Sequence, residues 1–185
     1  MTAAIRETKE PQTFVFSDDG LVPNNSLPLL IYKTVLHFRD HPEKTIEDLF
    51  GSHRWGQMWR NGIFDYLHYH ATVHEALSVA RGNARVRLGG DAGREFTLEV
   101  GDVAILPAGT GHQCLWASED FLVVGAYPPG PRMEIARPTP DNHCKALDTI
   151  PKVALPKSDP VHGPNGPLVR LWRASGTKMN AGATC

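Results

Sequence analysis

Four side chains of this 185-residue sequence have the types and spacing to hold a divalent cation. Phe64, Tyr66, His68 and His70 alternate with Asp65, Leu67 and Tyr69, so on a strand the two imidazoles face one side. Glu75 follows five residues after His70 and needs a turn or bulge around residues 71–73 to bring its carboxylate back to that side. His112 comes 37 residues later, just behind Pro107-Ala108-Gly109-Thr110-Gly111, a turn rich in residues that tolerate left-handed backbone. Three imidazoles and one carboxylate make an N3O donor set that suits Fe(II), Mn(II), Ni(II), Co(II) or Zn(II). His74 competes with Glu75, because a one-residue change in the turn would present it instead; otherwise it is expected to orient Glu75 through a hydrogen bond.

Parity along the strands sketches the surroundings. Phe64 and Tyr66 share the face of His68, Leu77 and Val79 that of Glu75, and Cys114 and Trp116 that of His112, with Tyr127 at the end of its strand. These are candidates for a pocket wall, each aromatic with barrel core as its other role and Cys114 as a small buried hydrophobe. The other five histidines, His37, His41, His53, His143 and His162, read as surface or satisfied core.

The elements that must position these groups are short. One strand is expected at 13–16 and another at 29–36, followed by a helix capped by Asp40, with Glu43 completing a capping box, and stopped by Gly51. From 59 to 127, strands at 76–80, 84–88, 96–100, 102–106, 113–116 and 121–127 are separated by turns every 8 to 12 residues, the pattern of a sandwich or closed barrel. Residues 128–172 carry PPGP, RPTP, LPKSDP and GPNGP, too much proline for central strands, and read as an extended arm with an edge strand at 169–172. Residues 173–185 read as a disordered tail, and 1–58 as an arm, strand and helix packing on the barrel core of 59–127.

The two site segments resemble the motifs of the cupin superfamily. Gly62, His68, His70, Glu75 and Gly82 match the first motif, and Gly101, Pro107, Gly109 and His112 the second, whose terminal Asn is replaced by Trp116. At about 7% Gly and 5% Pro, G-x5-P-x-G arises about once in 4,000 windows, so its position 19 residues beyond Gly82 is not coincidence. HYHATVHEAL, PAGTGHQC and DPVHGPNGPL are similar to stretches of small single-domain bacterial cupins. The resemblance implies an all-β, cupin-type double-stranded β-helix (a jelly-roll barrel), here with one short N-terminal helix and a proline-rich C-terminal arm. It also implies His68, His70, Glu75 and His112 as ligands. Fold alone does not carry function.

Composition narrows the classes further. Nineteen basic and 20 acidic side chains give a formal net charge of −1, without the basic surplus of a nucleic-acid or membrane-surface protein. Seventeen glycines and 15 prolines make about 17% of the chain against a usual sum of about 12%, which favours turns and arms. Three cysteines without C-x-x-C spacing and an N-terminus without an apolar run predict a cytoplasmic protein. Four ligands leave two positions of a six-coordinate ion for a small-molecule substrate. The expected function is a metalloenzyme of the oxygenase or related oxidoreductase type. Its alternatives are a sugar or keto-acid isomerase or lyase, and a non-catalytic small-molecule-binding protein. The proline-rich arm and the N-terminal strand predict a homodimer in which they complete a neighbouring barrel.

Overall fold

The computed structural model describes residues 4–5 and 10–176. Eleven strands form there: β1 (Ala4–Ile5), β2 (Gln12–Phe16), β3 (Asn25–Tyr32), β4 (Leu36–His37), β5 (Gly56–Asn61), β6 (Glu75–Arg81), β7 (Asn83–Leu88), β8 (Arg94–Glu99), β9 (Val103–Leu106), β10 (His112–Ala117) and β11 (Leu122–Tyr127). All pairings are antiparallel. A six-stranded sheet runs β2-β3-β9-β6-β11-β5, a three-stranded sheet runs β10-β7-β8, and β1 pairs with β4. This is the mostly-β jelly-roll architecture expected from the motifs.

Period-two alternation sorts each strand of the large sheet onto two cores. Leu29 and Ile31 of β3 and Leu77 and Val79 of β6 face the small sheet, where they meet Val86, Leu88 and Leu98. Leu30, Tyr32, Ala76 and Ala80 point the other way and are covered by helices. The first of these, α1 (Pro42–Ser52), buries Ile46 and Phe50. Its start differs from expectation: the cap residue is His41, left-handed at φ 48° with no side-chain cap bond, and the helix runs past Gly51 to Ser52.

The region after the barrel is not the extended arm its prolines suggest. It holds α2 (Pro140–Thr149), a 3-10 turn (Ile150–Lys152) and α3 (Pro167–Gly176). Both helices begin on proline, where the missing N–H and fixed φ do no harm, and the Thr139 side chain accepts from the Asn142 amide at the start of α2. The expected edge strand at 169–172 is part of α3, whose Leu168, Val169 and Trp172 are buried. Residues 173–176 of the expected tail are helical too, and the rest of it lies outside the described residues. The arm docks on its own barrel: Trp172 Nε1 donates to the Pro28 carbonyl (2.8 Å) and Trp55 Nε1 to that of Ser158 (2.9 Å). Division at residue 58 also fails as a structural boundary, because β2 and β3 belong to the large sheet and β5 spans the division. No helix among the described residues is long and apolar enough to cross a membrane.

Candidate metal centre

The stretch from Gly62 to His74 is loop rather than the expected strand. It rejoins the small sheet at one point, where His68 and His112 exchange both backbone hydrogen bonds (3.2 and 2.9 Å), while the Cys114 amide donates to the Phe64 carbonyl (2.8 Å). That bridge brings the two rings to a centroid distance of 4.0 Å. His70 follows, with its ring 5.3 Å from that of His112, and its carbonyl accepts from the Gly109 amide (2.7 Å). Gly109 must be glycine: its φ is +90°, and a Cβ would lie 2.5 Å from the Asn24 carbonyl oxygen. Gly82 and Gly101 also take positive φ, whereas Gly62 does not.

One face of every ring is fixed by the backbone. Nδ1 of His68, His70 and His112 lies 3.0, 2.8 and 3.0 Å from the carbonyls of Tyr66, Glu134 and Thr110. A carbonyl only accepts, so each Nδ1 carries the proton and each Nε2 keeps its lone pair. One ligand nitrogen from each of these buried histidines lies within 4.8 Å of the others. Glu75 opens β6 on the barrel-facing parity, with Oε2 3.5 Å from His70 Nε2 and 3.4 Å from His112 Nε2. Oε2 is buried with no hydrogen-bond partner, while Oε1 accepts from the Tyr127 hydroxyl (2.8 Å), which itself accepts from Trp59 Nε1 (2.8 Å). Three lone-pair nitrogens and one orphaned carboxylate oxygen converging in a buried space fit a divalent cation by number and chemistry.

The electrostatics agree with neutral imidazoles facing an ionised carboxylate. Burial and the neighbouring His68 press the His112 ring down to about 3, and burial also lowers His68. Burial works against charge on His70, but the Glu75 carboxylate beside it outweighs that and raises it. The Glu75 carboxyl is pushed up by burial and held down more strongly by His70, His112 and Tyr127. On the opposite face of β6, burial lowers His74 to about 4. Between pH 6.5 and these depressed values the unfolded chain binds more protons than the folded one, so stability falls with pH. Glu75 adds to the loss below about 4.5, and His70 offsets part of it. The metal-free protein is therefore expected to melt progressively lower from pH 6.5 to pH 4, measured in chelator at constant ionic strength; a flat or rising profile would contradict buried neutral rings.

The remaining candidates separate cleanly. Phe64 lines the cavity above the histidines. Tyr66 lies outside its wall, stacked on Phe64 at 4.8 Å under the Arg137 guanidinium (4.1 Å). Cys114 packs against the barrel core, and Trp116 is 55% exposed, so neither lines the cavity. A register shift between Cys114 and Trp116 breaks the parity of Trp116 with His112, while Cys114 keeps it and packs into the barrel core. His74 turns away from Glu75: its Nδ1 accepts from the Ala108 amide (2.9 Å) and its ring meets Trp172 at 4.6 Å. It cannot orient Glu75.

Sequence reading missed several contributors. Met133, the Glu134 carbonyl and Ile135 come from the arm, and Trp59 from β5. Trp59 lies over Gly125, where a Cβ would meet the indole at 2.1 Å. Asn24, 2% exposed, pins the turn before His112 by accepting from the Gly111 amide and donating to the Gly89 carbonyl. A Pro-Gly turn signals that the chain bends, but no residue pattern marks which buried amide will hold it. Tyr127→Phe removes the hydroxyl between Trp59 and Glu75, and such supporting bonds are worth about 10–100-fold in metal affinity. The variant is expected to show a loss of that size in a competitive metal titration while keeping its circular dichroism spectrum.

No protein-family model matches the chain. YjlB, an uncharacterised protein of Bacillus subtilis strain 168, is 36% identical over 165 residues, which are 89% of this chain and 98% of that one. Among solved structures, acireductone dioxygenase from Bacillus anthracis, with a cadmium ion in its active centre, aligns at 17% identity and a TM-score of 0.35, over 49% of this chain and 60% of that one. Oxalate decarboxylase from Bacillus subtilis aligns at 16% identity and a TM-score of 0.38, over 63% of this chain and 28% of that one. A DUF861 family protein from Thermotoga maritima aligns at 21% identity and a TM-score of 0.32, over 54% of this chain and 96% of that one. The chain thus spans less than two thirds of the first two structures' own lengths.

Proposed function

Since the chain belongs to the family of Bacillus subtilis YjlB and its two site segments resemble the cupin motifs, we propose that it is a mononuclear metalloenzyme of the oxygenase or related oxidoreductase type, acting on a small organic molecule that chelates the ion. The observation that carries this reading is the convergence of three Nε2 lone pairs and the orphaned Glu75 Oε2 in a buried cavity. His68, His70, His112 and Glu75 are the proposed ligands. A divalent ion held there supplies Lewis acidity and, if it is iron, access to dioxygen chemistry.

The chain's own residues do the rest. Backbone carbonyls keep the three Nε2 atoms aimed inward, and Tyr127 holds Glu75 Oε1 so that Oε2 faces the histidines. Ile63, Leu77 and Ile135 line the cavity with apolar side chains. An isomerase or lyase needs a group free to move a proton. The Tyr127 hydroxyl is engaged by both Glu75 and Trp59, which favours the oxidoreductase reading.

The test is elemental analysis of protein purified anaerobically without added metal. About one iron per chain, with oxygen uptake on exposure to substrate mixtures, is the expected result. Zinc or nickel would redirect the reading to non-redox chemistry, and absence of any metal would end it. A homodimer is proposed as well, supported by β2, which is an edge of the large sheet and carries Val15 at 62% exposure. Because the arm docks on its own barrel, this β2 edge takes the place of the arm as the proposed contact. Sedimentation at micromolar concentration is expected to give twice the chain mass, and a monomer would rule the contact out.

A further inference from the structure

We propose that the molecule taken up by this centre has a compact, uncharged, mainly apolar body and meets the protein chiefly through its metal-binding oxygens. The inference rests on the metal reading above and concerns what else the cavity offers. Its volume is about 280 Å³, at the small end of ligand pockets. Its apolar walls are Trp59, Ile63, Phe64, Leu77, Met133 and Ile135; the exposed Asn61 also lines it, its Oδ1 accepting from the Gly62 amide (2.8 Å).

Little polar capacity remains for a substrate. Tyr127 donates to Glu75 and accepts from Trp59 Nε1, so neither ring offers a free donor. Arg60 is the one cation among the described lining residues, and its guanidinium is already held by both oxygens of Glu47, at 2.6 and 2.8 Å. Such a two-pronged pair uses the geometry by which arginine would grip a carboxylate or phosphate. Arg137, nearby, is spread over the Tyr66 ring. The remaining charge inside is that of Glu75, which belongs to the proposed ligand set and faces the ion rather than the substrate body. Two lining apolar groups, Phe64 at 39% exposure and Ile135 at 44%, stay open to solvent. An apolar body in the cavity would cover them and gain their burial.

The class is therefore a small carbocycle or short hydrocarbon chain with adjacent oxygen donors. A sugar would leave hydroxyls unpaired on apolar walls, and a phosphate or dicarboxylate would find no free cation.

The test uses full-length protein loaded with Co(II), whose visible absorption bands report ligands entering the coordination shell. Tropolone and oxalate are titrated separately; both chelate through two oxygens, but only tropolone has an apolar ring. Each dissociation constant is divided by that for aqueous Co(II), removing intrinsic chelation strength. Tropolone is expected to be favoured by about tenfold or more on this scale. Equal or stronger oxalate binding in the parent would overturn the proposal while leaving the metal reading intact. Failure of Co(II) to develop histidine-dependent bands would overturn both.

Discussion

His112→Ala protein, purified beside its parent, is expected to hold less than about a tenth of the parent's metal after desalting. Four-ligand sites release about 10–16 kcal/mol on binding, so one ligand accounts for about 3 kcal/mol, more than a hundredfold in affinity. His112 is the sensitive position because its backbone pairs with His68 and its Nδ1 is fixed by Thr110, so its ring is set in place before any ion arrives. The backbone bridge survives the substitution, and loss of metal would therefore report the missing nitrogen rather than a displaced loop. Melting curves make the distinction quantitative. Added metal should raise the parent's melting temperature and leave that of His112→Ala unchanged. His74→Ala is the control: it should keep the metal and lose stability, since His74 packs on Trp172 and accepts from Ala108. Full occupancy in His112→Ala, or metal lost from His74→Ala and retained in Glu75→Ala, would refute the assignment of these ligands.

Asp159→Ala is expected to be the most destabilising single change away from the metal centre. The side chain is fully buried and satisfies four donors: the Tyr32 hydroxyl (2.5 Å) and the amides of Val161 (2.8 Å), His162 (3.1 Å) and Leu168 (3.0 Å). Burial and the adjacent carboxylate push the Tyr32 phenol far above its ordinary range, so it remains a donor at every working pH. Alanine would leave these donors unpaired in the interior at about 1–3 kcal/mol each, and with partial relaxation a total near 4 kcal/mol is expected. For a chain of this size that lowers the melting temperature by about 8–16 °C. Asp159→Asn keeps one acceptor and turns an N–H towards the remaining donors, so it should fall between. A shift under about 2 °C for Asp159→Ala would mean that the loop it organises does not hold the arm to the barrel.

The parts of this molecule that could be read in advance are those set by local alternation. Glu75 faces the histidines and His74 faces Trp172 because neighbouring strand residues point to opposite sides. Leu77 and Val79 follow Glu75 into the barrel for the same reason. The same rule misled where the backbone departs from regularity. Trp116 was carried outward by the irregularity in β10, and residues 64–70 touch the small sheet only at the His68 bridge and the Phe64 carbonyl instead of pairing along it. Proline content was weighed as a bar to regular structure, yet Pro140 and Pro167 begin helices. The Glu134 carbonyl on His70 had no signature at all, since any residue supplies a carbonyl and only the folded arm decides which one arrives.

That carbonyl also sets an order of events. A ribosome that has joined residue 127 has synthesised every proposed ligand, but not Glu134, nor the Asp159 loop and the Trp172 anchor that bind the arm to the barrel. At about 5–20 residues per second, translation needs several more seconds to supply them. Until Glu134 is added and the arm docks, His70 lacks the acceptor that fixes its tautomer. The Nε2 geometry proposed to hold an ion is therefore complete only in the finished chain.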